Sequence, residues 1–182
     1  MKRGLPEQLQ FMANRRAVQK TTDASMRGKV CVVAGSTSGV GLAAVRRLAR
    51  GGADIVMVCR NRAKAEPIRD ELAGKHGIRA DVVTADFRDL ESVRAVSGVL
   101  LGTYPRIDVL INSAGIHSTT LTTTAAGMET VFCVNHLAPF LLTHLLLDRM
   151  KACAPSRIIQ VNSEGHRFGS VNLDDLAWER HH

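Results

Sequence analysis

The chain has 182 residues, of which 45% are hydrophobic, so it is long enough and apolar enough to bury one core. Its net charge of +7 is dispersed and only 4% of its residues are aromatic, which argues against a nucleic-acid-binding protein. No apolar run reaches the roughly 18 residues of a membrane span. The four cysteines lack metal-ligand spacing, so we expect reduced thiols, no metal site and a cytoplasmic location.

Strands and helices alternate along most of the chain. Residues 1–27 are polar and basic, and we interpret them as an N-terminal extension that precedes a domain over residues 28–182. Runs rich in Val and Ile predict five buried strands. These strands are expected at Val30–Ala34, Asp54–Cys59, Ala80–Thr84, Val109–Asn112 and residues 157–161.

Helical patterns lie between the predicted strands. The first helix presents one apolar face, formed by Leu42, Val45, Leu48 and Ala49. Asp89 is the expected N-cap of the third helix. The fourth helix, over about residues 128–150, contains Pro139, which predicts a kink or a local break.

This alternation predicts an α/β fold with a doubly wound, Rossmann-type parallel sheet of five strands. Right-handed crossovers place helices on both faces of such a sheet. Ligands bind at the carboxyl ends of its strands, near the switch in strand order. We therefore expect any functional site at that edge.

The first strand ends in a glycine turn. Gly35, Gly39 and Gly41 follow it at the spacing G-x-x-x-G-x-G, and an amphipathic helix begins there. Glycines let backbone N–H groups approach a ligand closely, and a helix N-terminus adds partial positive charge. These properties suit a phosphate group. A ligand-free turn is the open alternative, because glycine turns between strands and helices are common.

Three later segments accompany this turn. Residues 111–115 are Ile-Asn-Ser-Ala-Gly, residues 134–139 are Val-Asn-His-Leu-Ala-Pro, and residues 161–166 are Val-Asn-Ser-Glu-Gly-His. In this order the four motifs resemble the short-chain dehydrogenase/reductase family, and its retinol-dehydrogenase-like members most of all. The resemblance extends from about Lys29 to the last residue. It implies a nicotinamide cofactor and hydride exchange with an alcohol/carbonyl substrate.

The resemblance also implies roles for individual residues in binding the cofactor. The pyrophosphate would lie against the glycine turn, the adenine beside the end of the third strand, and the ribose beside the end of the fourth. Ala34 stands where the family usually has threonine, which should loosen the support of the turn. The residues concerned are Gly35, Ser36, Ser38, Gly39, Val40 and Gly41 in the turn, Asp86 and Phe87 for the adenine, and Asn112, Ala114 and Gly115 for the ribose.

Arg60 decides the predicted choice of cofactor. An NAD enzyme has a carboxylate at the end of the second strand to bind the ribose 2′-hydroxyl, and this chain has Arg60 there. A guanidinium group can neutralise and bind a 2′-phosphate. One such hydrogen bond is worth about 1.5–3 kcal/mol, so we predict NADP(H) over NAD(H). The alternative is a solvated arginine without a ligand.

The resemblance implies two catalytic residues in this chain. Asn135 would hold a water in a proton relay, and Ser163 would steady the substrate oxygen. The family's Tyr-x-x-x-Lys segment is expected about two dozen residues beyond Ser163, and the only tyrosine here is Tyr104. We therefore expect the cofactor-binding portion of an NADP(H)-dependent oxidoreductase, with the C-terminal part of the fold missing. The alternative is a catalytically inactive NADP(H)-binding or interaction protein.

The expected partners are a small apolar alcohol or carbonyl compound and a second copy of the chain. Without the next helix of the family to cover it, the fourth helix would expose its many apolar residues to water, and the fifth strand would present an open edge. We therefore expect a homo-oligomer or a marginally stable chain. The apolar residues of the helix are Phe132, Leu137, Phe140, Leu141, Leu145 and Leu146.

Overall fold

A computed structural model of the protein describes residues 18, 20–163, 172–175 and 180. Most of the predicted extension, residues 1–27, lies outside this description. The described elements alternate between strands and helices, as the sequence predicts. In chain order they are β1 (Val30–Ala34), α1 (Gly39–Arg50), β2 (Asp54–Cys59), α2 (Arg62–His76), β3 (Ala80–Thr84), α3 (Leu90–Thr103), β4 (Val109–Asn112), α4 (Thr130–Ala152) and β5 (Arg157–Gln160).

The five strands form one parallel sheet in the order β3-β2-β1-β4-β5. The central strand β1 therefore pairs with β2 on one side and β4 on the other, and the strand order reverses there. The predicted doubly wound, Rossmann-type fold is confirmed. Four strands have the predicted bounds, and β5 ends one residue early, at Gln160.

Alternate strand residues point to opposite faces of the sheet and build two separate layers of core. On one face, Val32 and Val56 pack with buried residues of α3 and α4. On the other face, Val33 and Met57 pack with buried residues of α1 and α2. The strands read as continuous apolar runs because both of their faces are covered.

Local chemistry starts two of the helices next to the carboxyl edge of the sheet. Asp89 is the N-cap of α3, as predicted, and its side chain accepts a hydrogen bond from the Glu91 amide at 2.9 Å. Asn61 caps α2 in the same way and accepts from the Lys64 amide at 3.1 Å. Both caps lie shortly after a strand and fix the loops between strand and helix.

Helix α4 is interrupted close to Pro139. Residues Cys133–Leu137 form a π-helical turn, in which the Ala138 amide donates to the Cys133 carbonyl five residues back. Pro139 then occupies the start of the following α-helical segment, Ala138–Ala152. Because proline has no N–H to donate, it fits where the α-helical hydrogen-bond pattern has already changed. The predicted break is confirmed, and its form is a π-turn.

Helix α4 has the predicted length, displaced by two residues, but it is more apolar than predicted. This 23-residue helix reaches a mean hydropathy of 1.6 over its best 18-residue window, enough to cross a membrane by length and composition. Its buried stripe packs into the core against the sheet and α3, and 33% of the residues in that window are buried. That stripe contains Ala138, Leu142, Leu146 and Met150.

The outer surface of α4 and β5 is only partly as predicted. Leu146 is fully buried, so its predicted place on an uncovered face was wrong. Phe140 is 65% exposed, and every residue of β5 is exposed. Among the described residues, β5 has a strand partner only on its β4 side.

The amino edge of the sheet is held together by Asp108. The side chain of Asp108 is 2% exposed and accepts from the Val30 amide at 2.9 Å and from Lys29 Nζ at 3.0 Å. Nε and Nη2 of Arg106 donate to it at 2.8 and 2.5 Å. The start of β1 is thereby tied to the start of β4.

Candidate functional site

A cleft of about 380 Å³ opens at the carboxyl edge of the sheet. The loops that follow β1, β2, β3 and β4 meet there, where the strand order reverses and ligands of such sheets bind. The lining residues are Gly35, Thr37, Ser38, Gly39, Val40, Val58, Cys59, Arg60, Ala85, Asp86, Phe87, Arg88, Ser113, Ala114, Gly115, Ile116, Val134 and Val161.

Most of the predicted cofactor residues line this cleft. These are Gly35, Ser38, Gly39, Val40, Arg60, Asp86, Phe87, Ala114 and Gly115. Three other predicted cofactor residues, Ser36, Gly41 and Asn112, are not part of its lining. The predicted catalytic residues Asn135 and Ser163 are not part of it either.

Two positions of the glycine turn have no space for a side chain and therefore require glycine. Gly35 has φ +78°, and a Cβ atom there would lie 2.5 Å from the amide nitrogen of Ala114. A Cβ atom on Gly41 would lie 2.2 Å from the Gly35 carbonyl oxygen. These glycines therefore allow the turn to pack closely against helix α1 and the loop after β4.

The space beside Gly39 shows that the turn has room for a phosphate group. Gly39 is exposed, has φ +53°, lines the cleft, and a Cβ atom built on it would meet no protein atom within 4 Å. It begins α1, so the first amides of that helix lie at the cleft. A turn left open beside free helix amides suits the pyrophosphate of a dinucleotide.

Ser36 and Asn112 lie behind the cleft wall. Ser36 is fully buried, and the described residues offer its hydroxyl no hydrogen-bond partner. The side-chain Nδ2 of Asn112 donates to the hydroxyl oxygen of Thr143 on α4 at 2.9 Å, and its side-chain Oδ1 has no hydrogen-bond partner among the described residues. The phosphate contact expected of the Ser36 hydroxyl thus has no open path, and Thr37 lines the cleft instead.

Arg60 is the cation of the cleft at the end of β2. It is exposed, and no residue of the described structure forms a hydrogen bond or an ion pair with its guanidinium group. The neighbouring thiol of Cys59 is 5% exposed, and burial raises its pKa, so it stays neutral at physiological pH. At the end of β2, Arg60 therefore carries the charge that a ligand in the cleft can reach.

Asp86 and Arg88 form an ion pair on the side of the cleft that follows β3. Arg88 Nη2 lies 2.6 Å from Asp86 Oδ2, and Arg88 Nε lies 3.1 Å from both carboxylate oxygens. These hydrogen bonds lower the pKa of the Asp86 carboxyl more than its partial burial raises it. Asp86 is therefore charged and already paired.

Asn135 links the π-turn of α4 to the loop after β4. Its Oδ1 accepts from the Ile116 amide at 2.8 Å, and its Nδ2 donates to the Ile116 carbonyl at 2.9 Å. The side chain thus holds both polar groups of one peptide segment. Gly115 lies next to this side chain: a Cβ atom built on Gly115 would be 3.4 Å from Asn135 Oδ1.

Ser163 and Tyr104 lie at different ends of the molecule. Ser163 is exposed and follows β5 at the carboxyl edge; residues 164–166 of its motif lie outside the described residues. Tyr104 lies at the amino edge, is 5% exposed and donates to Asp81 Oδ2 at 2.6 Å. Burial and this hydrogen bond raise the pKa of Tyr104. Tyr104 is thus remote from the cleft.

Comparison with known proteins agrees with this geometry. Residues 29–173 match the sequence profile of the family described as short chain dehydrogenase. The chain belongs to this family. Retinol dehydrogenase 14 of Mus musculus is 43% identical over 166 residues, which cover 85% of this chain and 50% of that protein. The chain thus spans about half the length of the curated relatives it matches.

Solved structures share the fold of this chain. A protein of Mycobacterium paratuberculosis is 34% identical with a TM-score of 0.74, over 87% of this chain and 55% of the other. L-Sorbose reductase of Gluconobacter frateurii, solved with NADPH and L-sorbose, is 29% identical with a TM-score of 0.67. That match covers 75% of this chain and 53% of the reductase.

Sequence reasoning missed Arg88, Thr37 and Ile116 as residues of the short chain dehydrogenase site. Arg88 lies two positions after Asp86, and that spacing suits a bidentate side-chain pair in a tight turn. Thr37 lies inside the glycine motif between two serines, and spacing alone does not say which hydroxyl faces outward. No sequence signal points to the backbone of Ile116.

Proposed function

We propose that this short chain dehydrogenase binds NADP(H) in the cleft at the carboxyl edge of the sheet. The observation that carries the proposal is Arg60 at the end of β2, whose exposed guanidinium group has no hydrogen-bond or ion-pair partner among the described residues. A 2′-phosphate would offer it a charge-assisted hydrogen bond that the 2′-hydroxyl of NAD(H) does not. The NADPH complex of L-sorbose reductase supports the same cofactor.

The bound cofactor would supply the hydride, and the protein would supply orientation. The glycine turn with Ser38 would hold the pyrophosphate, and Gly115 would lie on the ribose side. Asn135 would act at the reacting end, where it already fixes the loop at Ile116. Ser163 would orient the substrate oxygen from the end of β5.

The proposed substrate is an apolar alcohol or its carbonyl partner, with retinoids as the first class to test. Relatives named retinol dehydrogenase support this choice. We expect retinol to bind the NADP(H)-loaded protein more tightly than L-sorbose, measured by equilibrium dialysis. Tighter binding of the sugar would contradict the proposal. The four free cysteines fit a reducing compartment such as the cytoplasm.

Arg60→Asp tests the choice of cofactor. We expect NADPH affinity to fall roughly 10- to 150-fold, because one charge-assisted hydrogen bond is lost, while NADH affinity is retained. Titration of nicotinamide fluorescence with each cofactor gives both dissociation constants.

Arg94→Asp is the matched control for this experiment. Arg94 lies on α3, pairs with Glu91 at 3.2 Å and is not part of the cleft lining, but its substitution changes the net charge equally. We expect this control to leave the NADPH/NADH affinity ratio unaltered. A ratio that Arg60→Asp also leaves unaltered would show that Arg60 does not select the cofactor.

A further inference from the structure

The ion pair between Asp86 and Arg88 leaves little of the carboxylate for a ligand. Arg88 donates to Asp86 Oδ1 from its amide at 3.0 Å and from Nε at 3.1 Å. It donates to Oδ2 from Nε at 3.1 Å and from Nη2 at 2.6 Å. A carboxylate has about four acceptor positions, so one neighbour engages nearly all of them. The adenine contact expected of Asp86 is therefore in competition with Arg88.

This pair shares the rim of the cleft with Arg60. All three residues line the same cleft, which therefore has two arginines and one aspartate in its wall. The charge of Arg60 lowers the pKa of Asp86 as well, although the hydrogen bonds of Arg88 have the larger effect. The carboxylate and the Arg60 guanidinium are thus close enough to interact.

A bare carboxylate at this position would oppose the binding of NADP(H). The 2′-phosphate is an anion, and like charges on one cleft repel each other within a Debye length of roughly 10 Å. The 2′-hydroxyl of NAD(H) carries no charge and would be little affected. Asp86 therefore needs a counter-ion if the cleft is to prefer the phosphorylated cofactor.

We propose that Arg88 is a specificity-determining residue. It covers the Asp86 carboxylate and neutralises its charge, so that Arg60 can bind a 2′-phosphate without repulsion from Asp86. This inference rests on the proposed function, because it concerns the selection of NADP(H). It assigns to Arg88 an action through Asp86 rather than a contact with the phosphate. Cys133 of the π-turn supports the loop from behind, since its Sγ donates to the Phe87 carbonyl at 3.4 Å.

The test is a double-mutant cycle in which cofactor binding is measured, not turnover. The proteins are the unaltered chain, Arg88→Gln, Asp86→Asn and the double variant, each titrated with NADPH and with NADH. We expect Arg88→Gln to weaken NADPH binding about 3- to 10-fold at low ionic strength, with NADH binding changed less than about twofold. The difference should shrink as the salt concentration rises.

Removal of the Asp86 carboxylate distinguishes two roles of Arg88: neutralising that carboxylate, or contacting the 2′-phosphate directly. If Arg88 acts by covering Asp86, the double variant regains the NADPH/NADH affinity ratio of the unaltered chain, because a lost adenine contact would weaken both cofactors equally. If Arg88 instead touches the phosphate, this ratio stays as low as in Arg88→Gln, and the proposal is overturned. Arg88→Lys, which keeps the charge without the two-pronged geometry, should lose less affinity than Arg88→Gln.

Arg94→Gln is the matched control, because it removes an exposed arginine that the cleft does not contain. We expect it to leave the NADPH/NADH ratio unaltered. An equal loss of both cofactors in Arg88→Gln, or the same loss in Arg94→Gln, would overturn the role of Arg88. An unaltered chain that does not prefer NADPH would overturn the proposed function along with it. An NADPH/NADH affinity ratio that is undiminished in Arg88→Gln would overturn only the role of Arg88.

Discussion

At the scale of single residues, Asp108 shows how one buried carboxylate can bind two strands. Burial by itself raises the pKa of this carboxyl, but hydrogen bonds from Arg106, Val30 and Lys29 outweigh burial and lower the pKa to about 2. An aspartate in an unfolded chain has a pKa of about 3.9. The folded state therefore binds the proton less tightly, and the ionised carboxylate stabilises the fold.

This difference predicts a dependence of stability on pH. The stabilisation by Asp108 should be complete above about pH 4 and should be lost as the pH falls toward 2. We expect Asp108→Asn to lower the free energy of unfolding by roughly 3 kcal/mol at pH 7, because charged hydrogen bonds are lost. Urea unfolding at several pH values gives the comparison. A gap between the two proteins that stays constant from pH 6 to pH 3 would contradict the assignment.

Residue types at the site were predicted better than side-chain directions. The spacing after β1 and the position of Arg60 after β2 fix where those residues meet, because parallel strands end at one edge. Spacing does not say that Ser36 faces the interior or that Asn112 bonds to Thr143. Those directions depend on the packing of α1 and α4, which brings together residues that are distant in sequence.

At the scale of elements, the π-turn of α4 positions Asn135 on the loop after β4. In a helix built only from α-turns, each hydrogen bond spans four residues instead of five. The Asn135 side chain would then point in a different direction. The two hydrogen bonds between the Asn135 side chain and the backbone of Ile116, which we call the clamp, therefore depend on the π-turn in α4.

Removal of the clamp should loosen the loop. We expect Asn135→Ala to lower the free energy of unfolding by about 1–3 kcal/mol, because the Ile116 amide and carbonyl lose their partner. Hydrogen exchange at Ile116 should become faster. His136→Ala, the neighbouring substitution, removes only a ring stacked on Phe132 at 5.2 Å, so it should leave exchange at Ile116 unchanged. Equal protection of Ile116 in both variants would show that the clamp does not order the loop.

The elements themselves were predicted from strong local patterns. Continuous Val and Ile runs gave the strand bounds, and Pro139 gave the interruption of α4. The π-turn was not predicted, because proline marks a break without specifying which hydrogen bonds replace the lost one. Leu146 was assigned to the wrong face because α4 is apolar on several sides, so its periodicity does not identify the buried stripe.

At the scale of the whole molecule, the exposed apolar surface of α4 and β5 predicts self-association. Phe140 is 65% exposed and Ile159 is 43% exposed, beside the edge of β5 that has no strand partner among the described residues. We expect the chain to form oligomers that dissociate on dilution, and we expect Phe140→Glu to raise their dissociation constant at least about tenfold, the equivalent of 1.4 kcal/mol. Sedimentation velocity at several concentrations measures this.

Val99→Glu is the control for self-association. Val99 is 49% exposed on α3, so the substitution places the same charge on a different exposed apolar side chain. It should leave the oligomers intact. A chain that is monomeric at all concentrations and has ordinary stability in denaturant would contradict the prediction.

The strand order has a consequence for when the cleft comes into existence. The sheet can pair β1 with β2 early, because one helix separates them, but β1 meets β4 only after the intervening chain has folded back. The cleft takes its walls from loops on both sides of that late pairing. The complete cleft exists only after β1 and β4 have paired, so a nucleotide that binds there would draw partly folded chains toward the native state.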